Sequence, residues 1–403
     1  MSSKKAEAMF KILQEQWGEK GIELKQVAKK AMELKVETPS WAYANCGTRF
    51  GIVKDPAAPR DAFEKVADAA QVHRFTGITP AVAVHVLWDR VPDWKKLAKH
   101  ALSLGIRIGA INPNLFTEEI YKYGSVCNSD PKVRKAAVDN MKECVQIGKE
   151  VGSNLLSLWF ADGTNYPGQG DFRRRKHWML EGLREVYKAM PKSMRMVIEY
   201  KLFEPAFYHT DLPDWGSSLL MCQHLGEQAQ VLIDLGHHAH GTNIQCIVST
   251  LIDEGKLGGF HFNDRKYADD DLTTGCINPF ELYLIFHELV GGWSEPFAFM
   301  IDEMPVLKPR IESMIQSAQN IQESYVKALL VDRQALKAAQ DENRLIDAEQ
   351  IVREAYLADV TPILAIARME KGLDPDPLRA FRASGYKERI LAERSAKKRL
   401  AKV

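Results

Sequence analysis

No apolar run in this sequence approaches the roughly 20 residues that a bilayer-spanning helix needs. The opening stretch, Met1-Ser-Ser-Lys-Lys-Ala-Glu-Ala, has no hydrophobic signal core. These absences predict a cytoplasmic protein with no membrane partner. Charge of one sign is also missing, since 54 Lys+Arg stand against 53 Asp+Glu for a formal +1. That balance disfavours a protein that wraps phosphate backbones, so no nucleic-acid partner is expected. The basic cluster Lys397-Lys398-Arg399 reads as a solvated helix face. Cys46, Cys127, Cys144, Cys222, Cys246 and Cys276 form no Cys-x-x-Cys pair, which argues against a zinc knuckle or a disulfide framework. They are read as reduced thiols, mostly buried. Nor does a Gly-x-Gly-x-x-Gly turn follow a first strand, so a doubly wound nucleotide-binding sheet is the weaker of two architectures.

What the sequence does contain is alternation. Residues Lys4 to about Leu34 have apolar positions at helical spacing, broken near Gly18 and Gly21, and predict an N-terminal helical extension over 1–36. Eight short apolar runs follow, beginning at Ser40, Ala81, Ile106, Leu155, Met196, Val231, Gly258 and Ala298. Amphipathic stretches separate them, among them Asp61 to His73, Trp94 to Ser103, Pro131 to Val151, Phe172 to Met190, Asn243 to Glu254 and Pro279 to Leu289. Eight strand-helix units in about 270 residues predict an α/β fold, a (β/α)8 TIM barrel over 37–308. From 309 to 403 no strand pattern appears. Helices at Ile311 to Arg333, Asp341 to Leu357 and Pro362 to Gly372, with a basic stretch from Lys387 to Lys402, predict a helical C-terminal extension that packs on the barrel or on a neighbouring subunit.

Barrel enzymes collect their chemistry at the carboxyl ends of the strands, so an acid that closes an apolar run differs in meaning from one on a helix. Here the fifth run closes on Glu199-Tyr-Lys201, the sixth on Asp234-Leu-Gly-His237, the seventh on His261-Phe-Asn-Asp264 and the eighth on Asp302-Glu303, with Asp269-Asp-Asp271 soon after the seventh. Glu199 and Lys201 lie two apart and share one side of an extended strand. Asp269 and Asp271 share a side if locally extended, which turns Asp270 away. A single acid at a strand end is often a helix cap, and a lone His in an apolar run is usually a core residue. Four successive strand ends carrying ligand-type residues are harder to explain that way. Five carboxylates in one mouth repel each other unless cations sit among them. Glu199, Asp234, His237, His261, Asp269, Asp271 and Asp302 are therefore candidate metal ligands. They are too many for one octahedral ion that also holds substrate and enough for two. The oxygen-rich set without thiolate suits Mn²⁺ best, with Co²⁺, Mg²⁺ or Zn²⁺ as other possibilities.

The opposite side of the mouth is more apolar, with His85, Trp88, Phe116 and Trp159 at or beyond the second to fourth runs. Aromatic rings beside scattered polar groups suit a small polyol.

The segments Gly47-Thr-Arg-Phe, His85-x-x-Trp88-Asp89, Trp159-x-x-Asp162-Gly-x-Asn165, Glu199-x-Lys201-x-x-Glu204-Pro-Ala-Phe-Tyr, Asp234-Leu-Gly-His237-His and His261-Phe-Asn-Asp-x-Lys266-Tyr-x-Asp269-Asp-Asp271 resemble those of L-rhamnose isomerase, and the likeness runs through nearly the whole chain. The metal-residue pattern is also similar to xylose isomerase. The resemblance implies a tetrameric aldose–ketose isomerase with two divalent ions per subunit. Its substrates would be monosaccharides, L-rhamnose and aldoses such as D-allose, converted by a metal-assisted 1,2-hydride shift, with an enediol route as the alternative. By matching position, Glu199, Asp234, His261 and Asp302 would hold a structural ion, and Asp234, His237, Asp269 and Asp271 a catalytic one. Lys201, His85, Asp302 and His237 would take part in the chemistry. His85, Trp88, Phe116, Trp159 and Lys201 would bind the sugar, and Phe63 would reach into a neighbouring subunit's site. Two departures bear on sugar preference: Met304, where relatives carry a more polar stretch, and Cys46, where a glycine is familiar. Another metal-dependent barrel isomerase or epimerase, or a non-catalytic sugar-binding barrel, remain the alternatives.

Overall fold

The computed structural model describes residues 3–48, 51–204, 208–292 and 297–400. The Arg49-Phe50 and Pro205-Ala-Phe207 parts of the segments quoted above lie outside these residues, as do the side chains of Lys397-Lys398-Arg399. Eight parallel strands close into a barrel: β1 (Glu37–Pro39), β2 (Ala81–Val86), β3 (Arg107–Pro113), β4 (Leu155–Leu158), β5 (Arg195–Glu199), β6 (Ala229–Asp234), β7 (Leu257–Phe262) and β8 (Ala298–Ile301). Each pairs with its sequence neighbours, and β1 closes the ring by pairing with both β2 and β8. The (β/α)8 class is as the alternation predicts.

Acidic N-caps explain where the outer helices start. The Asp61, Asp93, Asp130, Asp171 and Asp214 side chains accept backbone N–H groups at the heads of α3 (Ala62–Thr76), α4 (Trp94–Ser103), α5 (Pro131–Val151), α6 (Phe172–Ala189) and α7 (Trp215–Leu225). Asn243 does the same for α8 (Ile244–Asp253). Each such cap contributes about 1 kcal/mol and fixes where a βα loop ends. Pro131 opens α5, where a missing N–H costs nothing. α9 (Pro279–Gly292) and α10 (Arg310–Leu329) complete the ring of helices.

One expectation needs correction. The first strand lies at Glu37–Pro39, and the apolar run from Ser40 forms a 3-10 turn over Ser40–Tyr43 instead. That turn brings the Trp41 indole to Asp302, just beyond β8. The helix α7 had no counterpart in the sequence reading, because Trp215-Gly-Ser-Ser-Leu-Leu-Met-Cys has no clear polar face. Finally, α10 packs against α9 and α3 and fills the eighth outer position of the barrel. We propose that the C-terminal extension begins after it rather than at 309. That extension comprises α11 (Arg333–Asp341), α12 (Leu345–Leu357), α13 (Thr361–Glu370), α14 (Pro377–Ala383) and α15 (Tyr386–Leu400). The N-terminal helices α1 (Ser3–Gly18) and α2 (Leu24–Glu33) pack on α13. Buried Gln322 on α10 donates to the carbonyl of Ala31.

Inside the barrel, Trp41, Ala83, Ala110, Leu155, Val197, Leu232 and Met300 form an apolar layer below the mouth. At the lower end Glu37 accepts the Ala110 N–H at 2.8 Å, and a Cβ on Gly109 would fall 1.5 Å from its carboxylate. The lumen is thus plugged, and the open end of the fold is the end where the ligand-type residues lie. All six cysteines are free, four of them buried. Among the described residues no helix is long and apolar enough to cross a membrane.

Candidate metal and sugar site

The parallel register sets the acidic half of the mouth. Asp234 at the end of β6 stands beside His261 of β7, and Leu232 beside Glu199 of β5. Phe262 pairs with Ile301, so Asp302 follows directly above β8. Glu199, Asp234 and His261 are almost wholly buried, at 3%, 0% and 3% exposure. Donor atoms of Glu199, Asp234, His261 and Asp302 lie within 4.8 Å of one another, and so do those of Asp234, His237 and Asp269. Two groups therefore share Asp234.

The spacing fits a small cation. His261 Nδ1 lies 3.2 Å from Glu199 Oε1 and 3.4 Å from Asp302 Oδ2, and His237 Nε2 lies 3.1 Å from Asp269 Oδ1. Adjacent ligands of an octahedral ion with bonds of about 2.1 Å stand about 3 Å apart. Buried His261 Nδ1 and Asp269 Oδ1 have no hydrogen-bond partner, as atoms kept for a metal would not. His237 Nδ1 faces the Tyr200 carbonyl at 3.0 Å, and Nε2 faces Asp234 and Asp269, the arrangement in which Nε2 could serve as the ligand atom of a cation.

Electrostatics points the same way. Burial, with Glu199, Asp269 and Asp302 nearby, pushes the Asp234 carboxyl up to about 7 although His237 pulls it down. Burial and the neighbouring Asp269, Asp302 and Asp234 raise Asp271 well above the carboxylate range. Burial lowers His261, but Glu199, Asp302 and Asp234 outweigh it and lift the imidazole to about 9. Such a set holds more negative charge than its imidazoles balance, and divalent cations relieve it. A third group, Cys127, Asp162 and Asp211, differs. There Asp162 accepts from Ser125 and the Cys127 N–H, and Asp211 pairs with Arg175 at 2.7 Å.

Local sequence aims these groups. A Cβ on Gly236 would lie 3.2 Å from oxygens of Asp234, Asn263 and Asp269, so a side chain in the Asp-Leu-Gly-His turn would press on these oxygens. Asp270 turns back to accept the N–H groups of Lys266 and Tyr267, at 2.6 and 2.7 Å. Asp271 is not extended, with φ at 47°, and it stands outside the three-donor group that holds His237 and Asp269. Lys201, 6% exposed, reaches Asp269 at 2.7 Å and Glu204 at 2.8 Å, and these two carboxylates hold its ammonium charged despite burial.

Two residues that the sequence reading did not assign to the site join it. Trp41 Nε1 donates to Asp302 Oδ1 at 2.8 Å, and Asn263 Nδ2 donates to both oxygens of Asp234 at 2.9 and 3.1 Å. The Asn263 amide sits two residues beyond His261 and so shares its side of the strand, a signal that was readable. Trp41 was not, because its strand had been misplaced.

The other half of the mouth is a chain of rings. His85 lies 4.2 Å from Trp88, 5.7 Å from Phe116 and 5.6 Å from Trp41, and Phe116 lies 4.8 Å from Trp159. Lys201 Nζ sits 5.1 Å over the Trp159 ring and joins the two halves. Burial, aided by Lys65, lowers the His85 imidazole to about 3, so it is neutral throughout the ordinary range. Its backbone N–H donates to buried Asp89, which also accepts from Ser40 and pairs with Lys65 at 2.5 Å. Leu87, at φ 137°, is the strained residue of the turn that presents Trp88. Phe63 stands apart, on α3, with its ring 5.4 Å from His100 of α4.

A closed (β/α)8 barrel with clustered carboxylates and imidazoles at its mouth is a barrel whose open end could hold metal ions. Residues 61–295 match the xylose isomerase-like TIM barrel family, and the chain belongs to it. It is 42% identical to a probable sugar isomerase of Rhizobium meliloti over 96% of this chain and 92% of that one. A probable sugar isomerase of Mesorhizobium japonicum is 41% identical over the same shares. A xylose isomerase of Thermus thermophilus matches at 26% over 43% of this chain and 47% of its own. Among solved structures, an L-ribulose 3-epimerase superposes with a TM-score of 0.54 at 12% identity, covering 78% of this chain and 98% of its own, a likeness of fold.

Proposed function

We propose that this protein is an aldose–ketose isomerase that interconverts L-rhamnose and L-rhamnulose and acts on other aldoses such as D-allose. The observation that carries the reading is the pair of donor groups sharing Asp234 with Lys201 beside them, in a chain alike from end to end to probable sugar isomerases. Glu199, Asp234, His261 and Asp302 would hold one divalent ion, and Asp234, His237 and Asp269, with Asp271 adjacent, a second. Mn²⁺ is the ion best suited to this oxygen-rich set. When bound, such ions polarise the sugar's O1 and O2 as Lewis acids.

The chain's own residues do the rest. Lys201, charged and fixed between Asp269 and Glu204, places a donor where negative charge grows on a sugar oxygen. Neutral His85 offers its unpartnered Nδ1 to a ring oxygen or hydroxyl and steadies ring opening. Phe116, Trp88 and Trp159 cover the C–H face of the sugar and exclude water from the C1–C2 bond, across which a hydride shifts. Met304, half-buried against the lumen layer, lies at the far wall. Phe63, on α3 beside His100 of α4, would complete a neighbouring subunit's site in a cytoplasmic homotetramer. No nucleic acid or membrane has a part in this reading.

The test is ketose formation from L-rhamnose, L-lyxose, L-mannose and D-allose, before and after EDTA, and in deuterated water. We expect turnover of at least one aldose, its loss on metal removal, recovery with Mn²⁺, and little solvent deuterium at the transferred position. Turnover that survives complete metal removal would refute the reading, and substantial label would replace the hydride shift by the enediol route.

A further inference from the structure

We propose that Asp89 is a positioning residue, a buried hub that fixes the rings of the aromatic half of the mouth by tying two backbone turns to helix α3. Its part in sugar binding rests on the isomerase reading above, while the geometry stands without it.

Asp89 is 1% exposed. Its Oδ2 accepts the His85 N–H at 2.7 Å and the Ser40 hydroxyl, and its Oδ1 accepts from Lys65 Nζ at 2.5 Å. These three donors belong to three different elements. Ser40 opens the 3-10 turn that carries Trp41, His85 lies on β2 just before the turn that presents Trp88, and Lys65 comes from α3. Lys65 also donates to the Trp88 carbonyl at 3.2 Å, so the turn is held at both its ends. Leu87 within it sits at φ 137°, a conformation that persists only where the surroundings enforce it.

What the hub sets is the relation of three rings. The His85 ring meets Trp41 edge to face at 5.6 Å and Trp88 at 4.2 Å, and the two indoles come from the two turns that Asp89 joins. Since the Trp41 indole donates to Asp302, a shift of the Ser40 turn would reach the acidic half as well. With Lys65 only 5% exposed, the pair is a buried ion pair, and well-packed apolar residues of similar size are often as stable. An apolar pair, however, would leave the buried His85 N–H and Ser40 hydroxyl without an acceptor. Holding those two donors in place is the work that only a polar hub can do.

Fluorine NMR of the full-length protein labelled with fluorotryptophan, combined with aldose kinetics, tests this, the signals being assigned with Trp41→Phe and Trp88→Phe. The double variant Asp89→Ala/Lys65→Met removes the acceptor without leaving an unpaired ammonium. In it we expect the Trp41 and Trp88 signals to move while those of Trp17 and Trp178, on the outer helices α1 and α6, stay in place, and KM to rise about tenfold or more. Asp89→Asn/Lys65→Met lacks the same charges but keeps an oxygen for Ser40 and His85, and should restore both signals and bring KM to within about threefold of the parent. If the alanine variant fails to fold, Ser40→Ala removes a single bond and should move the Trp41 signal while leaving Trp88. An unmoved Trp41 signal in either of these variants, equal movement of all the tryptophans, or no recovery with asparagine would overturn the proposal. Absence of aldose turnover in the parent would instead sink the isomerase reading, and the fluorine signals would still decide the positioning role.

Discussion

The two halves of the barrel mouth are built on opposite rules. From β5 to β8 the side chains are charged, almost fully buried and within bonding distance of one another, with Asp234 and His261 at 0% and 3% exposure. From β2 to β4 they are rings that touch edge to face, and Trp88 at the rim is 42% exposed. The first half has little freedom, since a shift of any carboxylate meets a like charge or loses a pairing. The second can yield, because ring contacts are individually weak, about 0.5–1.5 kcal/mol, and one face is open. In the proposed isomerase, chemistry that stabilises charge would belong on the rigid side, and recognition of the sugar on the adaptable one.

Exchanging a residue on each side separates these roles. The largest effect is expected at Lys201, where Lys201→Met removes the buried ammonium and leaves Asp269 and Glu204 facing each other. A fall in kcat of about 100-fold or more is expected, with KM changed much less. Equal changes in kcat and KM would move Lys201 out of the charge-stabilising role. On the aromatic side Phe116→Ala should raise KM by about tenfold with kcat nearly kept, as loss of apolar cover is felt in binding. A collapse of kcat in this variant would break the division between the halves.

The smallest effect concerns acid stability. The folded His85 imidazole, lowered by burial to about 3, cannot take up the proton that the unfolded chain binds near 6.5. Its contribution is therefore complete above pH 6.5 and is lost progressively as pH falls toward 3. At pH 5 this amounts to about 2 kcal/mol. His85→Asn should lose less of its unfolding midpoint between pH 7 and pH 5 than the parent does, and a parallel drop in both would show that His85 is not neutral in the fold.

How much was legible in the sequence follows the same division. Glu199, Asp234, His261 and Asp302 each close a strand, and parallel register converts that position into proximity, so this group was readable without coordinates. The rings were readable as residues, but their chain of contacts depends on loops. Trp41 shows the limit. An apolar run after Pro39 reads as a strand whether the backbone stays extended or tightens into a 3-10 turn, and only the turn brings the indole to Asp302. Asp271 marks a similar limit, since alternation assumes extended backbone and its φ of 47° is left-handed, yet it lies beside Asp269, Asp302 and Asp234. The eighth helix was readable as a helix at Ile311 to Arg333, but nothing in its amphipathic pattern distinguishes packing on α9 and α3 from packing on an extension.

The central claim is that Asp234 joins two cation sites, and equilibrium binding of Mn²⁺ to the metal-stripped protein tests it most directly. Two ions per chain are predicted, with affinity at both falling by about 100-fold or more in Asp234→Asn, which keeps the shape and removes the charge. One ion or none in the parent, or two with unchanged affinity in the variant, would contradict the account.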